Sequence, residues 1–176
     1  ARGIGHGDRV AFQLPVGIDA IVVYRACWKI GVVPVALHPL AGPAQLEQAL
    51  EQSEPALLIS APGAPLLSTP GAATVEQLSG GAVPAMSVAD NDDALVMFTS
   101  GSTGAPKGVV HTHASLAYKA LESVEVHGFG ADDVVLMPAP LAHVSGLLHA
   151  VLVPGAVGAT AVLMSKWDPG DALDLI

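Results

Sequence analysis

Between Thr99 and Lys107 the chain reads Thr-Ser-Gly-Ser-Thr-Gly-Ala-Pro-Lys, the stretch richest in chemistry. It supplies four hydroxyls, on Thr99, Ser100, Ser102 and Thr103, and no bulky side chain stands before its backbone N–H groups. Gly101 and Gly104 can take the positive φ angles that turn successive N–H groups into one concavity. Lys107 adds a mobile cation at the far end. Hydroxyls, convergent N–H groups and one cation are what a polyphosphate needs.

This is not a Walker A loop, which ends in Gly-Lys-Ser/Thr and continues as a helix. Pro106 precedes the lysine here and Gly108 follows it. Nor does any serine sit in the G-x-S-x-G frame of a nucleophile elbow. The bland alternative is a flexible Ser/Gly turn between two strands. Two histidine groups also invite a role. His111 and His113 form an H-x-H pair, with His143 and His149 further on. No cysteine adjoins the pair and no carboxylate stands at a helical ligand spacing, which argues against a transition-metal site. His113 reads more simply as a polar residue at the start of the next helix. His143 follows the break Pro140-Leu141-Ala142, where a helix is predicted to begin. Side chains at such junctions project from the carboxyl edge of an open α/β sheet, where ligands bind. The alternative for His143 is a histidine satisfied within a turn.

The order of residues from Thr99 to Lys107 closely resembles the phosphate-loop signature of the adenylate-forming superfamily: acyl-CoA synthetases, luciferases and peptide-synthetase adenylation domains. Three further stretches carry the resemblance. Trp28-Lys29-Ile30-Gly31-Val32-Val33-Pro34-Val35 resembles an early segment leading into a core strand. Arg2-Gly3-Ile4 through Gly7-Asp8-Arg9-Val10-Ala11 resembles the usual lead-in. Pro140 to Gly146 resembles a segment that helps line the acyl pocket. The resemblance spans nearly the whole chain.

It implies an acid–thiol ligase, most like a fatty-acid or aromatic-acid CoA ligase. A carboxylate attacks the α-phosphate of ATP, pyrophosphate leaves, and coenzyme A then attacks the acyl adenylate. Thr99, Ser100, Gly101, Ser102, Thr103 and Gly104 would hold the phosphates with help from Lys107, and Thr103 would contact Mg²⁺. His143 would lie by the carboxylate, and Gly146 would leave room for the acyl chain unless it serves only close packing. The family's later adenine and ribose segments, its Mg²⁺-binding acid, its hinge and its C-terminal lysine are not among these residues. The expectation is therefore residues 1–176 as part of the large N-terminal domain, without the C-terminal domain, inactive alone and with no catalytic residue assigned within it. Two other readings stand beside it: a non-catalytic nucleotide-binding module, and a peptide-synthetase-type adenylation domain. The small residues around His143 lean towards a fatty or aromatic acid.

The elements that must position these groups alternate. Strands are predicted at Val10–Leu14, Val32–Leu37, Ala56–Ser60, around Leu95–Phe98, at Val134–Met137 and at Thr160–Met164. Helices are predicted at Asp19–Ile30, with Gly31 as the stop, at Pro43–Glu51, Ala114–His127 and His143–Val153, with another starting at Asp168-Pro169. This rhythm implies an α/β fold with a mostly parallel sheet and flanking helices. Asp90, Asp92 and Asp93 make an acidic turn before the phosphate-loop strand. Pro62 to Pro84 is rich in Pro, Gly, Ala and Ser, and reads as a mobile surface connection with a helical turn only at Thr74–Leu78. Met97, Met137 and Trp28 read as packing, and Lys119 and Lys166 as solvated charges.

With 51% hydrophobic residues among 176, the chain can build a real core. Aromatics are only 4%, so Ala, Val, Leu and Ile must fill it. Seven Lys plus Arg against 16 Asp plus Glu give a net charge of −9, and the cations do not cluster. That excludes a nucleic-acid face and disfavours an anionic membrane surface. No apolar run reaches the roughly 18 residues of a membrane span. Cys27 is the only cysteine, so no intrachain disulfide forms, as expected of a cytoplasmic protein with a buried, inert thiol.

Overall fold

The computed structural model describes residues 3–78, 85–99 and 106–176. Six strands form the main sheet: β1 (Arg9–Gln13), β2 (Val33–Ala36), β3 (Leu57–Ser60), β4 (Ala72–Ala73), β5 (Asp93–Thr99) and β6 (Lys107–Thr112). Their order is β4-β3-β1-β2-β5-β6. All neighbours are parallel except β5 and β6, which run antiparallel as a hairpin. A separate parallel pair joins β7 (Val134–Met137) to β8 (Thr160–Leu163). The helices are α1 (Ile18–Lys29), α2 (Pro43–Ser53), α3 (Val75–Leu78), α4 (His113–His127), α5 (Val144–Leu147), α6 (Val153–Val157) and α7 (Pro169–Leu175).

Successive residues of a strand point to opposite faces, and in β1, β2 and β5 both faces are covered, whereas β6 at the edge is largely exposed. Val10 and Phe12 of β1 and Leu95 and Met97 of β5 enter one cluster, which also takes Tyr24 of α1, Leu141 and Val151. Ala11, Val35 and Val96 enter the other, with Leu46 and Ala49 of α2. This two-sided burial makes the strands read as continuous apolar runs. The helices begin and end where their sequence tells them to. Pro43 opens α2, and the Gln45 side chain accepts from the N–H of Gly42 at 3.1 Å. Thr112 caps α4 by accepting from the N–H of Ser115, and Gly128 closes it at φ 69°. Asp168 caps α7 through the N–H groups of Gly170 and Asp171.

The few aromatic residues are concentrated. Tyr24 is fully buried, meets Phe12 edge-on at 4.9 Å between centroids and stacks on Trp28 at 5.4 Å. Its hydroxyl donates to the Leu141 carbonyl at 2.8 Å, and Trp28 Nε1 donates to the Ala94 carbonyl at 2.7 Å. Burial pushes the Cys27 thiol up to about 12, so it stays protonated and poorly nucleophilic at neutral pH. The acidic turn is ordered around Asp92, whose carboxylate accepts from the Ala89 N–H and pairs with His6 at 2.9 Å. Those two bonds, the backbone one first, hold its pKa below the ordinary range.

Three expectations change. The segment from Pro62 is not merely a surface connection. A 3₁₀ turn at Pro65–Ser68 drives Leu66 into the core at 0% exposure, and Ala72–Ala73 extends the sheet beside β3. One leucine with a buried slot outweighs the breaker-rich composition around it. The helical turn at Val75–Leu78 is as expected, while residues 79–84 lie outside the described set. Second, the expected helix from His143 forms and runs on to Val157, but it widens to a π turn at Leu148–Leu152 between α5 and α6. The N–H of Val153 reaches back five residues to Leu148. Pro154 just after it has no N–H to give, so the ladder widens upstream of it. Third, Gly146 is buried against the preceding turn. A Cβ there would meet the Pro140 carbonyl carbon at 2.7 Å and the Ala139 oxygen at 2.9 Å. Close packing, not space for a ligand, accounts for that glycine.

Two outcomes follow. Leu66→Ala leaves a cavity under the 3₁₀ turn and is expected to cost about 2–5 kcal/mol in denaturant unfolding; a loss under about 1 kcal/mol would return the segment to the surface. Gly146→Ala is expected to cost about 1–3 kcal/mol by overpacking. A Gly146→Ala protein that melts with the unaltered one would show that the space is free after all.

Candidate functional site

The parallel strands end on one side of the sheet, and a cavity of about 610 Å³ opens there. It lies between α2, the ends of β2 and β5, and the turn from Ala142 to Val144. Leu37 and Met97 contribute apolar wall; His38, Thr99, His111 and His143 contribute polar groups. Strand register orders part of this edge. Ala36 of β2 pairs with Met97 of β5, and Thr99 pairs with Lys107 across the hairpin. His38 stands two residues past the end of β2, where the chain turns, and lines the cavity with Thr99.

Two of the histidines are held by the backbone. His143 caps α5: its Nδ1 accepts from the Ser145 N–H at 3.3 Å, and its carbonyl accepts from the Leu147 N–H at 3.0 Å. His38 uses the same device, its Nδ1 accepting from the Leu40 N–H at 3.1 Å. An Nδ1 that accepts carries no proton, so in each neutral ring Nε2 bears the N–H and is a donor. The His38 turn is held from below by Gln13, which is 1% exposed at the end of β1. Its Nε2 donates to the carbonyls of His38, Pro39 and Ala41 at 3.2–3.3 Å, and its Oε1 accepts from the Leu66 N–H.

Of the residues singled out in the sequence, Thr99 and His143 line this cavity together, and Lys107 stands exposed on the strand beside Thr99. Ser100, Gly101, Ser102, Thr103 and Gly104 lie outside the described residues, as does the Mg²⁺ contact assigned to Thr103. Gly146 does not line the cavity. The H-x-H pair is divided: His111 ends in this cavity, whereas His113 begins α4 and lines a smaller apolar one with Trp28 and Leu116. Met97 packs and also faces the cavity, so packing describes only part of its role. His38 and Gln13 are the residues that reading the sequence missed. The available signal was position, since both stand at the carboxyl end of a strand next to the phosphate-loop strand or its neighbour.

The donor set suits an anion. Among the described residues no group of three or more His, Cys, Asp or Glu could hold a metal ion. A Mg²⁺ bound here would take most of its oxygens from nucleotide phosphates and water, with a loop hydroxyl assisting. Among the described residues no helix is long and apolar enough to cross a membrane.

Comparison with known proteins agrees with this geometry. A family model described as AMP-binding enzyme matches residues 1–176. The medium-chain fatty-acid–CoA ligase of Escherichia coli K12 is 34% identical over 209 aligned residues, covering 100% of this chain and 36% of that protein. The ATP-bound crystal structure of MatB from Rhodopseudomonas palustris superposes with a TM-score of 0.89 at 28% identity, over 99% of this chain and 38% of that one. The O-succinylbenzoate coenzyme A synthetase of Bacillus subtilis, in complex with ATP and magnesium ion, gives a TM-score of 0.88 at 26% identity, over 98% and 48%. The chain therefore spans between about a third and a half of the length of these relatives. A match running from the first residue to the last, on a sheet whose edge hairpin brackets the signature Thr99–Lys107, makes this chain a member of the AMP-binding enzyme family.

Proposed function

We propose that the chain is the phosphate- and acyl-binding part of an ATP-dependent acid–thiol ligase. A carboxylic acid, by preference a fatty acid, is converted to an acyl adenylate and then to its coenzyme A thioester. The observation that carries this reading is one shared cavity. The hairpin that brackets the hydroxyl-rich loop opens onto the same space as His143. Relatives named as CoA ligases and neighbours described with bound ATP support it.

In the first half-reaction the carboxylate oxygen bonds to the α-phosphorus of ATP, and the bond to the bridging oxygen of pyrophosphate breaks. Negative charge grows on the leaving group. Fixed donors aimed at that charge lower the barrier. Thr99 supplies one hydroxyl, Ser100, Ser102 and Thr103 the others, with Lys107 as the counter-cation and Thr103 against Mg²⁺. His143 offers its Nε2–H to the acid's carboxylate and shapes the entrance to the acyl site. In this reading the N-terminal domain continues beyond residue 176 and a C-terminal domain completes the site. The chain alone is then inactive, and the protein works in the cytoplasm on acid, ATP and coenzyme A.

Two measurements test the reading, both in the full-length enzyme. Loss of one preorganised donor costs roughly 10²–10³ in kcat in other enzymes. Here several groups share the charge, so Thr99→Ala is expected to slow carboxylate-dependent exchange of pyrophosphate into ATP about 10-fold and to spare thioester formation from supplied acyl adenylate. Equal losses in both halves would point to a folding defect and away from phosphate stabilisation. For His143→Ala, kcat/KM is measured over a short panel of acids beside a melting curve. Larger or branched acids should gain over the native one by about 1–3 kcal/mol. An unchanged rank order of acids removes His143 from the acyl site.

A further inference from the structure

We propose that His38 is a further binding residue of this site. Its Nε2–H donates to a phosphoryl oxygen of the nucleotide, or of the pyrophosphate released from it. The inference rests on the reading of Thr99 and Lys107 as a phosphate site and adds a residue from a different strand.

Three observations converge on it. The first is place. His38 lines the same cavity as Thr99, which pairs with Lys107 across the hairpin. A diphosphate held in that cavity can therefore meet Thr99 and His38 from two different strands' ends, with Lys107 next to Thr99. The second is preorganisation. Three contacts fix the turn: the Leu40 N–H on Nδ1, the Gln13 carboxamide on the His38 carbonyl, and the Ala41 N–H on that same carbonyl at 2.9 Å. Both the backbone and the tautomer of the ring are thereby set before any ligand arrives. The third is an unused donor. Among the described residues, Nε2 of His38 has no hydrogen-bond partner, although Nδ1 and the carbonyls of His38, Pro39 and Ala41 are bonded. His38 is exposed on the cavity wall, so this donor is open to a ligand. A donor held in this way meets an anion without reorganising.

The chemistry also suits the chain's charge. With a net charge of −9 the overall field opposes a polyphosphate. Neutral N–H donors at close range hold an anion without depending on that field. His38 would add such a donor in the cavity that Thr99 lines, as a backbone N–H would.

The test is calorimetric titration of the full-length enzyme, first with inorganic pyrophosphate and Mg²⁺, then with ATP and Mg²⁺, then with the carboxylic acid alone. His38→Leu removes the donor. His38→Gln keeps an N–H at a similar reach. The expected result is an about 10-fold weaker Kd for pyrophosphate and ATP in His38→Leu, recovery to within about 3-fold in His38→Gln, and unchanged acid binding and melting temperature in both. Unchanged pyrophosphate affinity in His38→Leu overturns the proposal, as does His38→Gln failing alongside it. Weakened acid binding with intact pyrophosphate binding overturns it too, by moving His38 to the acyl side. An unaltered enzyme that binds neither pyrophosphate nor ATP would instead sink the phosphate-site reading itself, and this inference with it.

Discussion

The Tyr24 hydroxyl is the constraint on which the rest of the site depends. It is fully buried and donates to the Leu141 carbonyl, a residue 117 positions away. The Tyr24 ring is held edge-on by Phe12 and flat by Trp28, and Trp28 Nε1 is itself bonded to the Ala94 carbonyl at the start of β5. One helix thus fixes the strand that leads to Thr99 and the turn that presents His143. An aliphatic core made of Ala, Val, Leu and Ile could accept small slips between layers. Two directional bonds, from buried Tyr24 and from half-buried Trp28 to the buried Ala94 carbonyl, cannot, because breaking either strands a buried polar atom at a cost of about 1–3 kcal/mol.

The antiparallel hairpin is the second determinant. Parallel strands need a crossover between them, so a loop at the carboxyl edge normally continues into a helix. Here β5 is followed by an antiparallel partner, β6, with the signature residues between them in sequence. The two ends of that segment then stand side by side in the sheet, Thr99 opposite Lys107. The hydroxyl that opens the segment and the cation that closes it are neighbours whatever the residues between them do. The α4 helix, which in a Walker fold would begin within the phosphate loop, starts only at His113, after the returning strand.

Much of this was legible in the residues. Strands buried on both faces write themselves as unbroken apolar runs, and Pro43, Gly31, Gly128 and Asp168 mark the helix ends by simple stereochemistry. The phosphate loop announced itself because its small residues make no sense as packing. Other features were hidden for physical reasons. Leu66 is one apolar residue among breakers, and only the depth of its slot reveals its weight. The π turn depends on how Pro154 is accommodated, which periodicity does not encode. Gly146 looked like space because absence of a side chain is the same signal for a cavity and for a close backbone approach. His38 and Gln13 matter through partners 25 to 53 residues apart in sequence, and no local pattern displays such bonds.

Gln13 has one more consequence. Its carboxamide serves carbonyls through Nε2 and an N–H through Oε1, and only a side chain that both donates and accepts can do so. A glutamate would turn an oxygen towards three carbonyl oxygens; a lysine could not accept from Leu66. The brace beneath the His38 turn is therefore electrically neutral and buried, in a strongly acidic protein. Ion pairs weaken with added salt and change with protonation, whereas an amide brace does neither. The wall of the cavity is thus built to keep its shape across ionic strengths and acidities that would alter the charge of whatever it holds.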